Sequence, residues 1–343
     1  MKKILSLLLV ILLVLGLISC NNNSKNNEEN KNDDKEEVVK ITNNFFSVDG
    51  MPMLCAHRGG SVRNPENTMK AFNYSVEECM ADILESDVWI TNDGHLVLLH
   101  DSTVLRTSDA NTYLGRNINL TPKDFTLDEL KELNFGAKFT DISGSKPYQN
   151  IVNNEMTKEE RKRIINENMV GIVTFDELLE NFYDKNKDLL FIVEIKNSHN
   201  DGCIVADKIN EILNKYPDYK NNVCIGTFNN EVEEYISNTY PNMITGASTK
   251  DAEEFVMDIL FNNTVKESYS FKCLQIPTSY SMNSNKINLI DEKLLKIAHE
   301  KDIAVQYWTI NDIETMKLLI DAGCDAIMTD DPTTLRKVLD EKK

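Results

Sequence analysis

Two histidines, His57 and His100, bracket a stretch that also carries Arg58, Glu66, Glu85 and Asp87. Imidazoles, which titrate near neutrality, can divide the base and acid roles of a displacement at phosphorus. Each of these two closes an apolar run and is followed by a charged residue, Arg58 or Asp101. Arg58 adds a planar fork of donors that matches phosphate oxygens. Glu85 and Asp87 are two residues apart, so on a strand they project to one face. Glu194 and Lys196 repeat that spacing in Phe191-Ile192-Val193-Glu194-Ile195-Lys196. Carboxylates that interrupt apolar strands carry a desolvation penalty unless they are paired or hold a cation. Three of them without a matching Cys/His cluster make a hard, oxygen-rich site suited to Mg2+ or Ca2+ rather than zinc. The same residues also read as buried salt bridges, Glu194 with Lys196 for example. Glu66, in a loop that begins at Pro65, either caps the following helix or orients His57. The remaining histidines, His95, His199 and His299, read as surface or satisfied core residues.

The elements that must position these groups are legible as short apolar, β-rich runs at 53–56, 83–90, 189–195, 223–228, 243–247, 273–276, 303–310 and 326–329. Amphipathic segments lie between many of them, at 68–80, 174–183, 204–215, 231–238, 291–301 and 312–322, the last stopped by Gly323. Strand alternating with helix implies a parallel sheet. Eight such strands predict an α/β fold of the closed (β/α)8, TIM-barrel type, with a doubly wound open sheet as the rival. One run breaks the alternation. Residues 96–100 follow 83–90 too closely for a parallel crossover, and Asn92-Asp93-Gly94 between them is a hairpin turn signal. The hairpin folds His100 back beside Ser86 and Asp87. Residues 102–170 offer no barrel strand, only a short helical excursion around 120–133 and a polar stretch at 141–168. They are expected to form an insertion over one end of the barrel, after the second strand and its hairpin.

The ends and the composition bound the rest. A basic Met1-Lys2-Lys3, an apolar run to Ile18 and Ser19-Cys20 read as a signal peptide over 1–20 whose end resembles a bacterial lipobox, with Cys20 lipidated. An ordinary transmembrane anchor is the alternative, although the run is short of the roughly 20 residues a span needs. Residues 21–44, rich in Asn, Lys, Glu and Asp, are expected to be a disordered tether, and 45–343 a single barrel domain. The protein is thus expected to be exported and held at the bacterial cell membrane or outer membrane. A net charge of −18 over 343 residues argues against nucleic acid as a partner. It also means that an anionic substrate needs a cation and local basic groups at the site. The six cysteines beyond Cys20 show no CxxC spacing and read as buried thiols.

The ordered set Ala56-His57-Arg58-Gly59, Pro65-Glu66-Asn67-Thr68, Glu85-x-Asp87-Val88, Thr91-x-Asp93-Gly94 and His100-Asp101 resembles the glycerophosphodiester phosphodiesterase family. Glu194-x-Lys196, Trp308-Thr309-x-Asn311 and Gly323-x-Asp325-x-Ile327-x-Thr329-Asp330-x-Pro332 are similar to that family's C-terminal signatures. The resemblance implies a (β/α)8 barrel and one divalent cation, Ca2+ or Mg2+, on the positions matching Glu85, Asp87 and Glu194. It implies His57 and His100 as the acid–base pair, Arg58 and Lys196 on the phosphate, and Trp308 lining the pocket for glycerol or the leaving alcohol. The substrate it implies is a small glycerophosphodiester, cleaved to glycerol 3-phosphate and an alcohol. A barrel phosphodiesterase of phospholipase C or D type, acting on intact lipids, is the second reading, and a non-catalytic surface-binding lipoprotein the third. The sequence departs from the family's pattern at the fifth and sixth strands, which carry no strong motif, and in the long polar segment 141–168.

Overall fold

Strands covered on both faces must be apolar throughout, and the first shows it: Met53–Ala56 (β1) is buried at all four positions. The computed structural model describes residues 43–115, 120–282 and 285–342. The signal peptide read at 1–20, with Cys20, and the tether as far as residue 42 lie outside them. Residues 43 and 44, expected to belong to the tether, are tied down. Asn43 Nδ2 donates to the carbonyls of Lys272 (2.9 Å) and Asp302 (3.2 Å), and Asn44 Nδ2 to Asn222 Oδ1 (2.7 Å).

After β1 come Ile83–Ile90 (β2), Leu96–Leu98 (β3), Leu190–Ile195 (β4), Val223–Thr227 (β5), Ile244–Thr245 (β6), Cys273–Ile276 (β7), Ser279–Met282 (β8), Asn285–Asn288 (β9), Ala304–Tyr307 (β10) and Ala326–Thr329 (β11). Eight of them pair in parallel in the order β6-β5-β4-β2-β1-β11-β10-β7. A parallel bridge from Gly246 to Cys273 joins the two ends and closes the ring. All eight runs read from the sequence are barrel strands. The expected hairpin is there too: β3 pairs antiparallel with β2, Val88 opposite Leu98 and Ile90 opposite Leu96.

Side chains on a strand alternate between faces, and the barrel sorts them into two apolar layers. Leu54, Leu84, Val88, Phe191, Val193 and Ile327 face outward and pack with helix residues such as Phe72, Leu178, Ile209, Leu294 and Leu319. Cys55, Ile83, Ile192, Cys224, Cys273, Ala304 and Met328 form the interior cluster. Phe45 belongs to that interior cluster and is fully buried. It sits with Met53, Ile83, Leu190, Ala304 and Ala326, which start their strands, so it closes the barrel at the N-terminal ends. Phe45→Ala is expected to lower unfolding free energy by about 3–5 kcal/mol, read as an earlier denaturant midpoint, with kcat retained because the residue is at the opposite end from the strand exits.

The helices start and stop on local chemistry. Thr174 caps Phe175–Tyr183 with Glu177 in a capping box, and Asp312 caps Ile313–Ala322. Gly323 ends the latter at φ 77°, the left-handed conformation that suits glycine. The described residues of 102–170 contain no barrel strand. They carry the helices Ala110–Tyr113, Leu127–Leu130 and Lys158–Glu167 and bury Val104, Leu120, Phe125, Leu130 and Phe135 against Val97 and Leu99 of the hairpin. Arg161 holds this layer from inside. It is fully buried, stacks 3.7 Å from the Tyr113 ring centroid and donates to Asp109 Oδ2 at 2.6 Å.

Candidate active site

The phase of each strand decides what reaches the barrel mouth. Cys55 and Ile83 point inward, so two and four residues on, His57, Glu85 and Asp87 share that phase. Ile192 sets the same phase for Glu194 and Lys196, and Met328 for Asp330. Apart from Glu85, the third residue of β2, these lie in or beyond the C-terminal halves of their strands, where barrels of this type build their sites. His57, Arg58, Glu85, Asp87, His100, Glu194, Lys196 and Trp308 all line one cavity of about 200 Å3. Among the sequence-predicted residues within the described range, Glu66 alone does not line it.

Parallel pairing sets Asp87 beside Glu194. Ligand-capable oxygens of Glu85, Asp87 and Glu194 lie within 4.8 Å of one another. Hard cations bind oxygen at about 2.0–2.6 Å, so one ion between such oxygens is sterically reasonable. Electrostatics point the same way. Burial, then the charge of Asp87, pushes Glu85 up to about 8, and burial raises Glu194 against the pull of Lys196. Carboxylates so placed favour a bound positive charge, and this donor set fits a divalent ion. Lys196 Nζ contacts Asp87 Oδ1 at 3.0 Å and Glu194 Oε1 at 2.6 Å. Burial works against its charge, but the two carboxylates outweigh that and raise its pKa. The salt-bridge and cation readings of these residues are therefore compatible in one geometry.

Each histidine is held by a carboxylate on Nδ1: His57 by Asp330 Oδ1 at 2.6 Å, His100 by Asp101 Oδ1 at 2.9 Å. Such a bond orients the ring and leaves Nε2 for the cavity; His57 Nε2 lies 3.9 Å from Glu85 Oε2. Burial lowers the His57 pKa, but the Asp330 hydrogen bond and the Glu85 charge more than reverse this. Burial raises Asp330, and the His57 contacts overcome it to bring the acid down to about 2. Arg58 adopts φ 53°. Its backbone N–H donates to Glu85 Oε2 at 2.7 Å, while its buried Nε lacks a hydrogen-bond partner and lies 3.6 Å from Asp87 Oδ2. That Nε is turned to the Asp87 carboxylate, while Arg58 as a residue lines the cavity, where a guanidinium suits an oxyanion.

Glu66 takes neither of the roles expected of it. Thr68 caps the helix Met69–Glu77, and Asp330 orients His57. Glu66 instead receives both Arg106 terminal nitrogens, at 2.8 and 2.6 Å, and lies 3.4 Å from Arg58 Nη1. Arg106 also donates through Nε to Asp101 at 2.7 Å. One ionic chain therefore links His100, Asp101, Arg106, Glu66 and Arg58. Sequence reasoning gave no role to Asp330 or Arg106. Asp330 had a usable signal, an acid directly after an apolar strand at the barrel exit; Arg106 had none. Asp330→Asn is expected to cut kcat at least about tenfold with KM nearly kept. Because the carboxylate holds the imidazolium, its loss should move the His57 limb of the pH–rate profile to lower pH.

A closed parallel barrel with acids, imidazoles and cationic donors gathered at its C-terminal mouth has the build of a barrel hydrolase. The sequence model of the glycerophosphoryl diester phosphodiesterase family matches residues 57–334. A glycerophosphodiester phosphodiesterase of Caldanaerobacter subterraneus subsp. tengcongensis is 30% identical over 287 residues, spanning 82% of this chain and 96% of that protein. Among solved structures, the glycerophosphoryl diester phosphodiesterase domain of a Mycobacterium tuberculosis protein superposes with a TM-score of 0.63 at 16% identity, over 84% of this chain and 98% of that one. An Oleispira antarctica phosphodiesterase, solved with its product sn-glycerol 3-phosphate, gives 0.57 at 20% identity, over 84% and 97%. At those identities the structural likeness speaks for the fold. The chain belongs to the glycerophosphoryl diester phosphodiesterase family.

Proposed function

We propose that this enzyme hydrolyses glycerophosphodiesters to glycerol 3-phosphate and an alcohol, with His57 and His100 as its acid–base pair. The observation that carries the reading is the convergence of both imidazoles, three carboxylates, Arg58 and Lys196 on one cavity. Glu85, Asp87 and Glu194 would hold one Mg2+ or Ca2+, which when bound offsets negative charge on the phosphoryl group. Arg58 and Lys196 bind and orient phosphate oxygens, and Trp308 lines the pocket for the organic part. One imidazole takes the proton of the attacking oxygen, either water or the neighbouring glycerol hydroxyl. The other gives a proton to the alkoxide as the phosphorus–oxygen ester bond breaks. Water supplies the oxygen that ends on phosphorus, directly or by opening the cyclic ester that the hydroxyl route makes. Glu66 and Arg106 fix Arg58 and His100 relative to each other.

The test is release of glycerol 3-phosphate from glycerophosphoethanolamine in a coupled assay with Mg2+ or Ca2+ supplied. Turnover is expected; its absence with both ions would overturn the reading. Anchoring through lipidated Cys20 belongs to the same proposal. Cys20→Ser should move the expressed protein from the detergent phase to the aqueous phase.

A further inference from the structure

A second cavity, of about 320 Å3, adjoins the catalytic one, and Phe228, Ala247, Gln275 and Trp308 line both. A single ligand can therefore span the two. Their chemistry differs sharply. Seven of the side chains lining the first are ionisable. Among the described residues of the second, Glu253 is the one charged group, and it is exposed and accepts the Tyr280 hydroxyl at 2.8 Å. The walls are mostly apolar, with Ser248, Thr249 and Gln275 as the uncharged polar exceptions. Val256 and Met257 come from the helix Thr249–Met257, and Ile276 from the end of β7. Tyr280 and Ile287, directly opposite each other in the β8–β9 hairpin, close a further side. These walls follow the fifth and sixth barrel strands, β6 and β7, where this sequence carries no strong family motif.

We propose, resting on the hydrolase reading above, that this annex takes one aliphatic chain carried by the phosphodiester substrate. The preferred substrates are then chain-bearing glycerophosphodiesters rather than those with small polar head groups. A polyol there would find Ser248, Thr249, Glu253 and Gln275 as partners but would set its other hydroxyls against apolar walls, which costs binding. A quaternary ammonium group would meet Phe228, Tyr280 and Trp308 and the exposed carboxylate of Glu253, but it would leave the aliphatic side chains Val256, Met257, Ile276, Ile287 and Leu289 without an apolar partner. The volume is at the small end for ligand pockets, roughly 300–1,000 Å3, and suits one chain rather than two. The chain can hang from the leaving alcohol or from the glycerol; the chemistry recognised is the same. Hydrolysis needs no further reagent: water's oxygen joins phosphorus, the ester bond to the alcohol breaks, and the alcohol leaves with a proton.

The test uses the full chain with its divalent cation and two series of monomeric substrates. The first is the glycerophosphodiesters of ethanol, butanol, hexanol and octanol, with the chain on the leaving alcohol. The second is monoacyl glycerophosphoethanolamines of increasing acyl length, with the chain on glycerol. In one series kcat/KM should climb by up to about three- to fourfold per added methylene, mainly through KM, and the series that climbs shows where the chain hangs. Ala252→Phe, which fills the annex from its helix, should flatten that slope. Val256→Ala, which enlarges it, should move the optimum to longer chains, and serves if the phenylalanine variant does not fold. Flat series in the wild type overturn the annex proposal, as does a preference for glycerophosphocholine over the longest members of both series. Loss of all turnover, glycerophosphoethanolamine included, overturns the hydrolase reading instead.

Discussion

Exhaustive chelation should abolish turnover, and addition of Mg2+ or Ca2+ should restore it. The physical reason is the crowding of Glu85, Asp87 and Glu194 within 4.8 Å. A cation there contributes several kcal/mol of charge stabilisation in the transition state, about a thousandfold or more in rate. The same crowding predicts a pH dependence of cation binding. Without the ion, burial and the Asp87 charge hold Glu85 at about 8, so at pH 7 this group is mostly protonated. Binding must expel that proton. Cation affinity should therefore rise with pH up to about 8 and level off above it, with proton release seen by calorimetry in buffers of different ionisation enthalpy. Affinity that stays flat from pH 6 to 8, or full activity after chelation, would remove the carboxylates from this role.

His57→Ala and His100→Ala should each lower kcat by about a hundred- to ten-thousandfold while leaving the fold intact. Neither ring is part of the apolar layers that hold the barrel, so both variants should fold; thermal unfolding should change little in His100→Ala and come somewhat earlier in His57→Ala, which takes the charged partner from Asp330. Retention of the cation gives a second check. The imidazoles are not among the three clustered ligands, so the dead variants should still bind the metal. A variant that keeps wild-type turnover takes its histidine out of the mechanism. A variant that loses both turnover and cation binding assigns that ring to the metal site instead.

The annex bears on where such an enzyme would work. Chain-bearing phosphodiesters arise when a membrane lipid has lost one acyl chain, or from alcohols that are themselves apolar. Both would be met by a protein tethered at a membrane through Cys20, as proposed. The two proposals are separable, since annex kinetics are measured in solution and anchoring by phase partition.

Particular residues show how far the chain could be read before it was folded. Asn92-Asp93-Gly94 announced a hairpin because a tight turn needs its own local residues, and the hairpin brought Leu99 N–H to Asp87 carbonyl at 2.9 Å. The barrel strands were legible because burial on both faces demands unbroken apolar runs. The helix Lys158–Glu167 was not. Its composition is polar, and it is held by a capping box between Thr157 and Glu160 and by buried Arg161 rather than by a broad apolar stripe. The hairpin Ser279–Met282 with Asn285–Asn288 was missed for a related reason, since its strands carry polar residues along much of their length.

Sequence alone determined which residue types stand at strand ends and which face they share, because a period of two is written in adjacent residues. It therefore placed Glu85 with Asp87 and Glu194 with Lys196, and it marked His57 and His100 as exits from apolar runs. Which charged groups pair was decided only by tertiary structure. The carboxylate that orients His57 is 273 residues away in the chain, and the acid that receives Arg106 is 40 away. Such partners are chosen by the closure of the ring and the lie of its loops, which no local spacing encodes. The apolar annex is of the same kind: a helix, a hairpin and the ends of four barrel strands supply its walls, and they meet only after the barrel has closed.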